Sequence, residues 1–143
     1  MKTYVIASAV AVALVTSTLC AQGSITVPKA VKTAFAQKYP EAKHVNWETE
    51  KGNYEANWGG KSGEDNSAMY TPSGKFLEIA KAISIEQLPA SAVSYVKEHY
   101  KGSSINEAAL VTDAVGKVTY EAEVNHKDVV FDQQGNFVKT EKE

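Results

Sequence analysis

Apolar positions along this chain recur first at helical spacing and then in strict alternation, and the same switch happens twice. Val27, Ala30, Val31, Ala34, Phe35 and Tyr39 fall on one face of a helix. Pro28 stands at a first-turn position, where its missing N–H costs nothing, and Pro40 stops the helix. Leu88, Ala92, Val93, Val96 and Tyr100 repeat the pattern after Pro89, and Gly102 follows the second helix end. Beyond each helix the period drops to two. Val45, Trp47 and Thr49 alternate with His44, Asn46, Glu48 and Glu50; Tyr54, Ala56 and Trp58 alternate with Glu55 and Asn57. Lys51-Gly52-Asn53 supplies the turn between these two strands.

The second copy predicts a strand over Ile105 to Thr112, a turn over Asp113 to Gly116, and a strand in which Val118, Tyr120, Ala122 and Val124 alternate with Thr119, Glu121 and Glu123. Two more hairpin strands complete each unit. They are Ser67 to Tyr70 with Lys75 to Ala82 around Gly74, and Val129 to Asp132 with Asn136 to Thr140 around Gly135. Landmarks repeat in order: Pro28 and Pro89, Tyr39 and Tyr100, Tyr54-Glu55-Ala56 and Tyr120-Glu121-Ala122, Gly74-Lys75-Phe76 and Gly135-Asn136-Phe137. Their separation stays near about 61 residues, drifting to about 66 at the Tyr-Glu-Ala triplet, so insertions fall between elements. Much of that drift lies in Gly59-Gly60-Lys61-Ser62-Gly63, which is longer than the Asn125-His126-Lys127 turn of the other half. The pattern predicts an α+β domain of two tandem αββββ repeats, about 27–83 and 88–141. Short connections make all strands antiparallel, and the expected result is one curved sheet with both helices on its apolar face.

Residues 1–21 read as a secretory signal peptide, with Lys2 as the positive end, Tyr4 to Val15 as the apolar stretch and cleavage after Ala21. That stretch is about 12 residues, short of the roughly 20 that a membrane span needs. Leu19 precedes Cys20 where a lipobox carries a small residue, which argues against a lipoprotein. Cleavage after Ala21 discards Cys20 and leaves residues 22–143 as one domain without disulfide or thiolate chemistry. Localisation is therefore expected to be periplasmic or secreted. Without Lys2 there are 14 basic and 17 acidic residues and no arginine, which excludes a phosphate-binding face and with it nucleic acid as a partner.

Candidate chemistry is sparse. His44, His99 and His126 fall in three different elements without ligand spacing, and Asp132-Gln133-Gln134-Gly135-Asn136 lacks the alternating oxygens of a calcium loop, so no metal and no cofactor is expected. No serine stands in a nucleophile-elbow context, so no catalytic residue is assigned. Glu48 with Glu50, and Glu121 with Glu123, are carboxylates two apart on the wet side of strands. With Glu55 they form an expected acidic sheet face, beside Asn46, Asn57 and Thr119, that would steer a basic partner. Trp47, Tyr54, Trp58 and Tyr120 should face the helices. Trp58, at a strand end beside the glycine-rich loop, is also a candidate exposed anchor for a partner.

Val27-Pro28-Lys29-Ala30-Val31-Lys32, Lys38-Tyr39-Pro40, Val45-Asn46-Trp47-Glu48, Tyr54-Glu55-Ala56, Gly74-Lys75-Phe76, Leu88-Pro89-Ala90 and Gly116-Lys117-Val118-Thr119-Tyr120-Glu121-Ala122 resemble the beta-lactamase-inhibitor-like, PepSY-like family of small exported Bacteroidetes proteins. The resemblance covers nearly all of residues 22–143. It implies a periplasmic or secreted protein of beta-lactamase-inhibitor-like fold, with no catalytic residues to carry over, and by analogy a module that binds other proteins.

The expected function is thus an exported, non-enzymatic binding module that binds or inhibits an envelope or secreted protein. The alternative is a small-ligand carrier with an apolar pocket between helices and sheet, lined by Trp47, Trp58 and Tyr120.

Overall fold

A computed structural model describes residues 25–142. The expected signal peptide and Cys20 lie outside the described residues. The order is helix α1 (Lys29–Lys38), strands β1 (Asn46–Glu50), β2 (Asn53–Trp58), β3 (Asn66–Tyr70) and β4 (Phe76–Ala82), then a 3-10 turn at Ile85–Gln87. Helix α2 (Ala90–His99) and strands β5 (Ala108–Asp113), β6 (Val118–Glu123), β7 (Lys127–Asp132) and β8 (Phe137–Lys142) follow. The eight strands form one antiparallel meander in sequence order. Both repeats thus reach the sheet as expected, with differences at the ends. The strand expected from Ile105 begins at Ala108, and the last one continues to Lys142 rather than stopping at Thr140.

Pro28 and Pro89 cap the helices rather than opening their first turns. Their ψ values of 145° and 136° are extended, and their carbonyls accept the first helical bonds, from Lys32 N–H at 3.1 Å and Val93 N–H at 3.2 Å. At the other ends the N–H groups of Tyr39 and Tyr100 close back on the carbonyls of Phe35 and Val96, both at 2.8 Å. Turns between strands use the left-handed region where the twist of a hairpin demands it. Asn125 and His126, at φ 55° and 58°, make a two-residue connection without glycine.

Each helix has its own core. Val31 and Phe35 of α1 pack on Ala56, Ala68 and Tyr70, and Ala92 and Val96 of α2 pack on Ala122, Val129 and Phe131. Ala56 and Ala122 at matched strand positions, and Ala68 beside the first, are fully buried and leave room for the helices above them. What joins the halves is the ladder between β4 and β5, which runs from Glu78 opposite Asp113 to Ala82 opposite Ala109.

The sheet is strongly curved. Eight flat strands at about 4.8 Å spacing would set β1 and β8 roughly 34 Å apart. Yet Lys51, in the turn after β1, reaches Glu141 of β8, with Nζ 3.8 Å from Oε2. The sheet bends away from the helices, so its polar face is concave.

Candidate functional site

The concave face is built by the register. Trp47 lies opposite Ala56, Ala56 opposite Ala68, and Ala68 opposite Ile79, and these residues pack toward the helix side. Their strand neighbours Glu48, Glu55, Ser67 and Glu78 therefore point the other way. In the second half, Tyr120 opposite Phe131 and Ala122 opposite Val129 face the helix, so Glu121, Glu123, Asp128 and Val130 face outward. The result is an open trough of about 850 Å³ that spans the sheet from β1 to β8.

Eight carboxylates line the trough: Glu48, Glu50, Glu55, Glu78, Asp113, Glu121, Asp128 and Glu141. Against them stand Lys51, Lys117, Lys139 and Lys142, and between them runs a strip of small or apolar side chains that includes Met69, Ala80, Val111 and Val130. Carboxylates also meet head-on across the ladders. Glu48 is opposite Glu55, Glu78 opposite Asp113, and Asp128 is flanked by Glu123 on one side and Glu141 on the other.

Burial and mutual repulsion disfavour the ionised form of the inner members. Burial, then the charges of Asp128, Glu78 and Glu141, push the Glu121 carboxyl up to about 7 against a weaker pull from Lys139. Glu78 is raised for the same reasons, burial first. At the rim the balance reverses. A hydrogen bond from Lys139 holds Glu141 low, while bonding to Glu50, 2.9 Å away, raises Lys51. The Ser67 hydroxyl donates to Glu55.

Of the residues expected to form the acidic face, Glu48, Glu50, Glu55 and Glu121 meet in the trough. The first three lie on the paired strands β1 and β2, whereas Glu121 is on β6, with β3, β4 and β5 between; the curvature brings it into the same trough. Glu123 lines an adjoining depression of about 170 Å³, and Asn106 donates to it at 3.3 Å.

Trp58 is not an exposed anchor. It points to the helix side, half-buried, with its ring 5.1 Å from Phe35 and 4.8 Å from Tyr39 between centroids. Trp47 packs edge-on to Phe35 at 5.3 Å, and Tyr120 packs on the α2 core. The apolar pocket expected between helices and sheet is thereby filled with side chains, and the large cavity lies on the other face. Glu78, Asp113, Asp128 and Glu141 are the trough residues that the sequence did not assign. Alternation with Leu77 and Ile79 marks Glu78 as outward. Asp113 read as turn, and Glu141 lay just past the expected end of the last strand.

The three histidines stay apart, and among the described residues no group of three His, Cys, Asp or Glu side chains is arranged to hold a metal ion. No helix among them is long and apolar enough to cross a membrane.

The family described as "Putative beta-lactamase-inhibitor-like, PepSY-like" matches residues 22–77 and again residues 61–139. The chain belongs to this family. The double match agrees with the tandem repeat. No curated protein matches the chain. Among solved structures, a "putative periplasmic" protein of Bacteroides eggerthii superposes with a TM-score of 0.67 at 16% identity, over 82% of this chain and 89% of that one. A DUF2874 family protein of Bacteroides uniformis superposes with a TM-score of 0.66 at 16% identity, over 80% and 88%. A BLIP-like protein of Bacteroides fragilis gives 0.60 at 17% identity, over 83% and 88%. At such identities the likeness is one of fold: two helices against an eight-stranded antiparallel sheet with BLIP-like neighbours.

Proposed function

We propose that this protein is an exported, non-enzymatic binding module whose concave sheet face receives a basic region of an envelope or secreted protein. One observation carries the reading: carboxylates are set directly opposite one another along the ladders of a single face, at Glu48 and Glu55, Glu78 and Asp113, and Asp128 and Glu141. Like charges in directly opposed positions weaken a sheet. A pattern that works against folding marks a surface shaped by something other than stability. A cationic partner relieves that repulsion, and the trough, eight carboxylates to four lysines, steers it in.

The leader at residues 1–21 supports export, and the solved relatives described as periplasmic agree with it. The family's description names no reaction.

The exported chain, used as bait on envelope and culture fractions, tests the reading beside a Glu48→Lys, Glu78→Lys, Glu121→Lys variant shown to be folded. A protein retained by the wild type at low salt and lost by the variant is the expected result. Equal retention by both baits would rule the concave face out.

A further inference from the structure

Resting on that reading, we propose that the trough accepts a lysine side chain from an extended segment of its partner, and that entry of the cation expels one proton, from Glu121. The geometry of the floor selects the class of side chain. Ala80, with the nearly buried Val111 and Val130, gives the floor an apolar bed several strands wide, and carboxylates stand around it. A long aliphatic stem that ends in one compact charge matches both features, since its methylene groups lie on the bed while the ammonium reaches the acids.

The proton belongs to Glu121 because of what surrounds it on every side. Across β5, Ala109 lies opposite it with Ala82 beyond, neither charged, and Glu78 is the carboxylate that β4 brings near. On β7, Val130 lies opposite it and Asp128 is its nearby carboxylate. From β8 come Glu141 and the cation Lys139, which is itself engaged by Glu141. The trough also holds Glu48, Glu50, Glu55 and Asp113 with Lys51, Lys117 and Lys142, and Glu64, Glu107 and Glu123 line the adjoining depression that Glu121 shares. A carboxyl enclosed by acids and apolar side chains resists ionisation, a new positive charge favours it, and a group so placed links binding to pH.

Calorimetry of the full exported chain with acetyl-pentalysine amide, in buffers of different ionisation enthalpy, reads the proton directly. Release of close to one proton at pH 6, with affinity rising about tenfold from pH 6 to pH 8, is expected when one site near 7 must ionise on binding. In Glu121→Gln, with fold verified by circular dichroism, the rise should shrink to less than about twofold. Tight binding without proton release, equal at both pH values, overturns the linkage and leaves the cation-binding face standing. No binding at low salt overturns both. Spermidine that binds more tightly than the peptide assigns the trough to a free polyamine and overturns the protein segment as its occupant. The N-acetyl-lysine version of the peptide, which keeps the stem without the charge, should not bind.

Discussion

Tyr70 and Phe131 occupy equivalent places at the ends of β3 and β7, both buried, and differ by one hydroxyl for which the core supplies no partner. Tyr70 touches Phe35 and Phe76 edge-on, with centroids at 6.3 and 5.6 Å, much as Phe131 meets Tyr95 at 5.7 Å. A buried donor without a partner costs about 1–3 kcal/mol. Tyr70→Phe is therefore expected to leave stability unchanged or to raise it by up to about 1 kcal/mol in urea unfolding. A loss beyond about 1 kcal/mol would show that the hydroxyl is bonded in solution.

Glycines at the strand turns separate conformational strain from steric contact. Gly135, at φ 80°, is buried against the start of α2. A Cβ there would stand 2.2 Å from Ser91 Oγ and 2.6 Å from Pro89 Cβ. Ser91 also donates to the Gln134 carbonyl at 3.1 Å, which ties the turn to the helix. Gly116 has nearly the same φ, 84°, with nothing around it. Gly116→Ala should cost about 1 kcal/mol from the left-handed backbone alone, and Gly135→Ala about 2–4 kcal/mol because the helix start must shift as well. Equal losses in thermal unfolding would mean that the turn moves freely from the helix.

Trp58 packs, half-buried, against Phe35 and Tyr39 of the α1 half. Trp58→Ala removes ring contacts to Phe35 and Tyr39 and is expected to cost about 2–4 kcal/mol. Its affinity for the lysine peptide, measured at a temperature where the variant is folded, should match the wild type. A folded variant that has lost the peptide would place the ring in the binding surface.

The trough lowers stability as pH rises. Glu121 holds its proton up to about 7 in the folded chain, against 4.5 as the ordinary value, so the folded state binds more protons than the unfolded one between those limits. Stability from this group is full below about pH 4.5, falls through the interval and is lowest above 7. The loss is on the order of 3 kcal/mol. Glu141 and Asp132, both held low by hydrogen bonds, act with the opposite sign, and their contribution fades in more acidic solution. Chemical unfolding at pH 5 and pH 8 should show the wild type less stable at pH 8, and Glu121→Gln should remove most of the difference. A Glu121→Gln protein with the wild-type slope would locate the proton on another group.

The linear sequence determined the local structure of this protein. Helical spacing from Val27 to Tyr39 and from Leu88 to Tyr100, alternation around Trp47, Ala56 and Tyr120, and glycine at Gly74 and Gly135 are patterns with periods of a few residues, and each specifies its own element and outward face. Short connections then left little choice but a meander. Which outward carboxylates meet depends on the assembled sheet. Glu50 and Glu141 belong to opposite edges of the sheet, and no local period records the curvature that carries them into one trough through Lys51. The same holds for Trp58: its place at a strand end beside a glycine-rich loop reads as exposed, and it is the distant α1 helix, through Phe35 and Tyr39, that covers it. Curvature is a collective property of eight twisted strands closing over two small cores, so the concave acidic face exists only once the whole sheet is assembled.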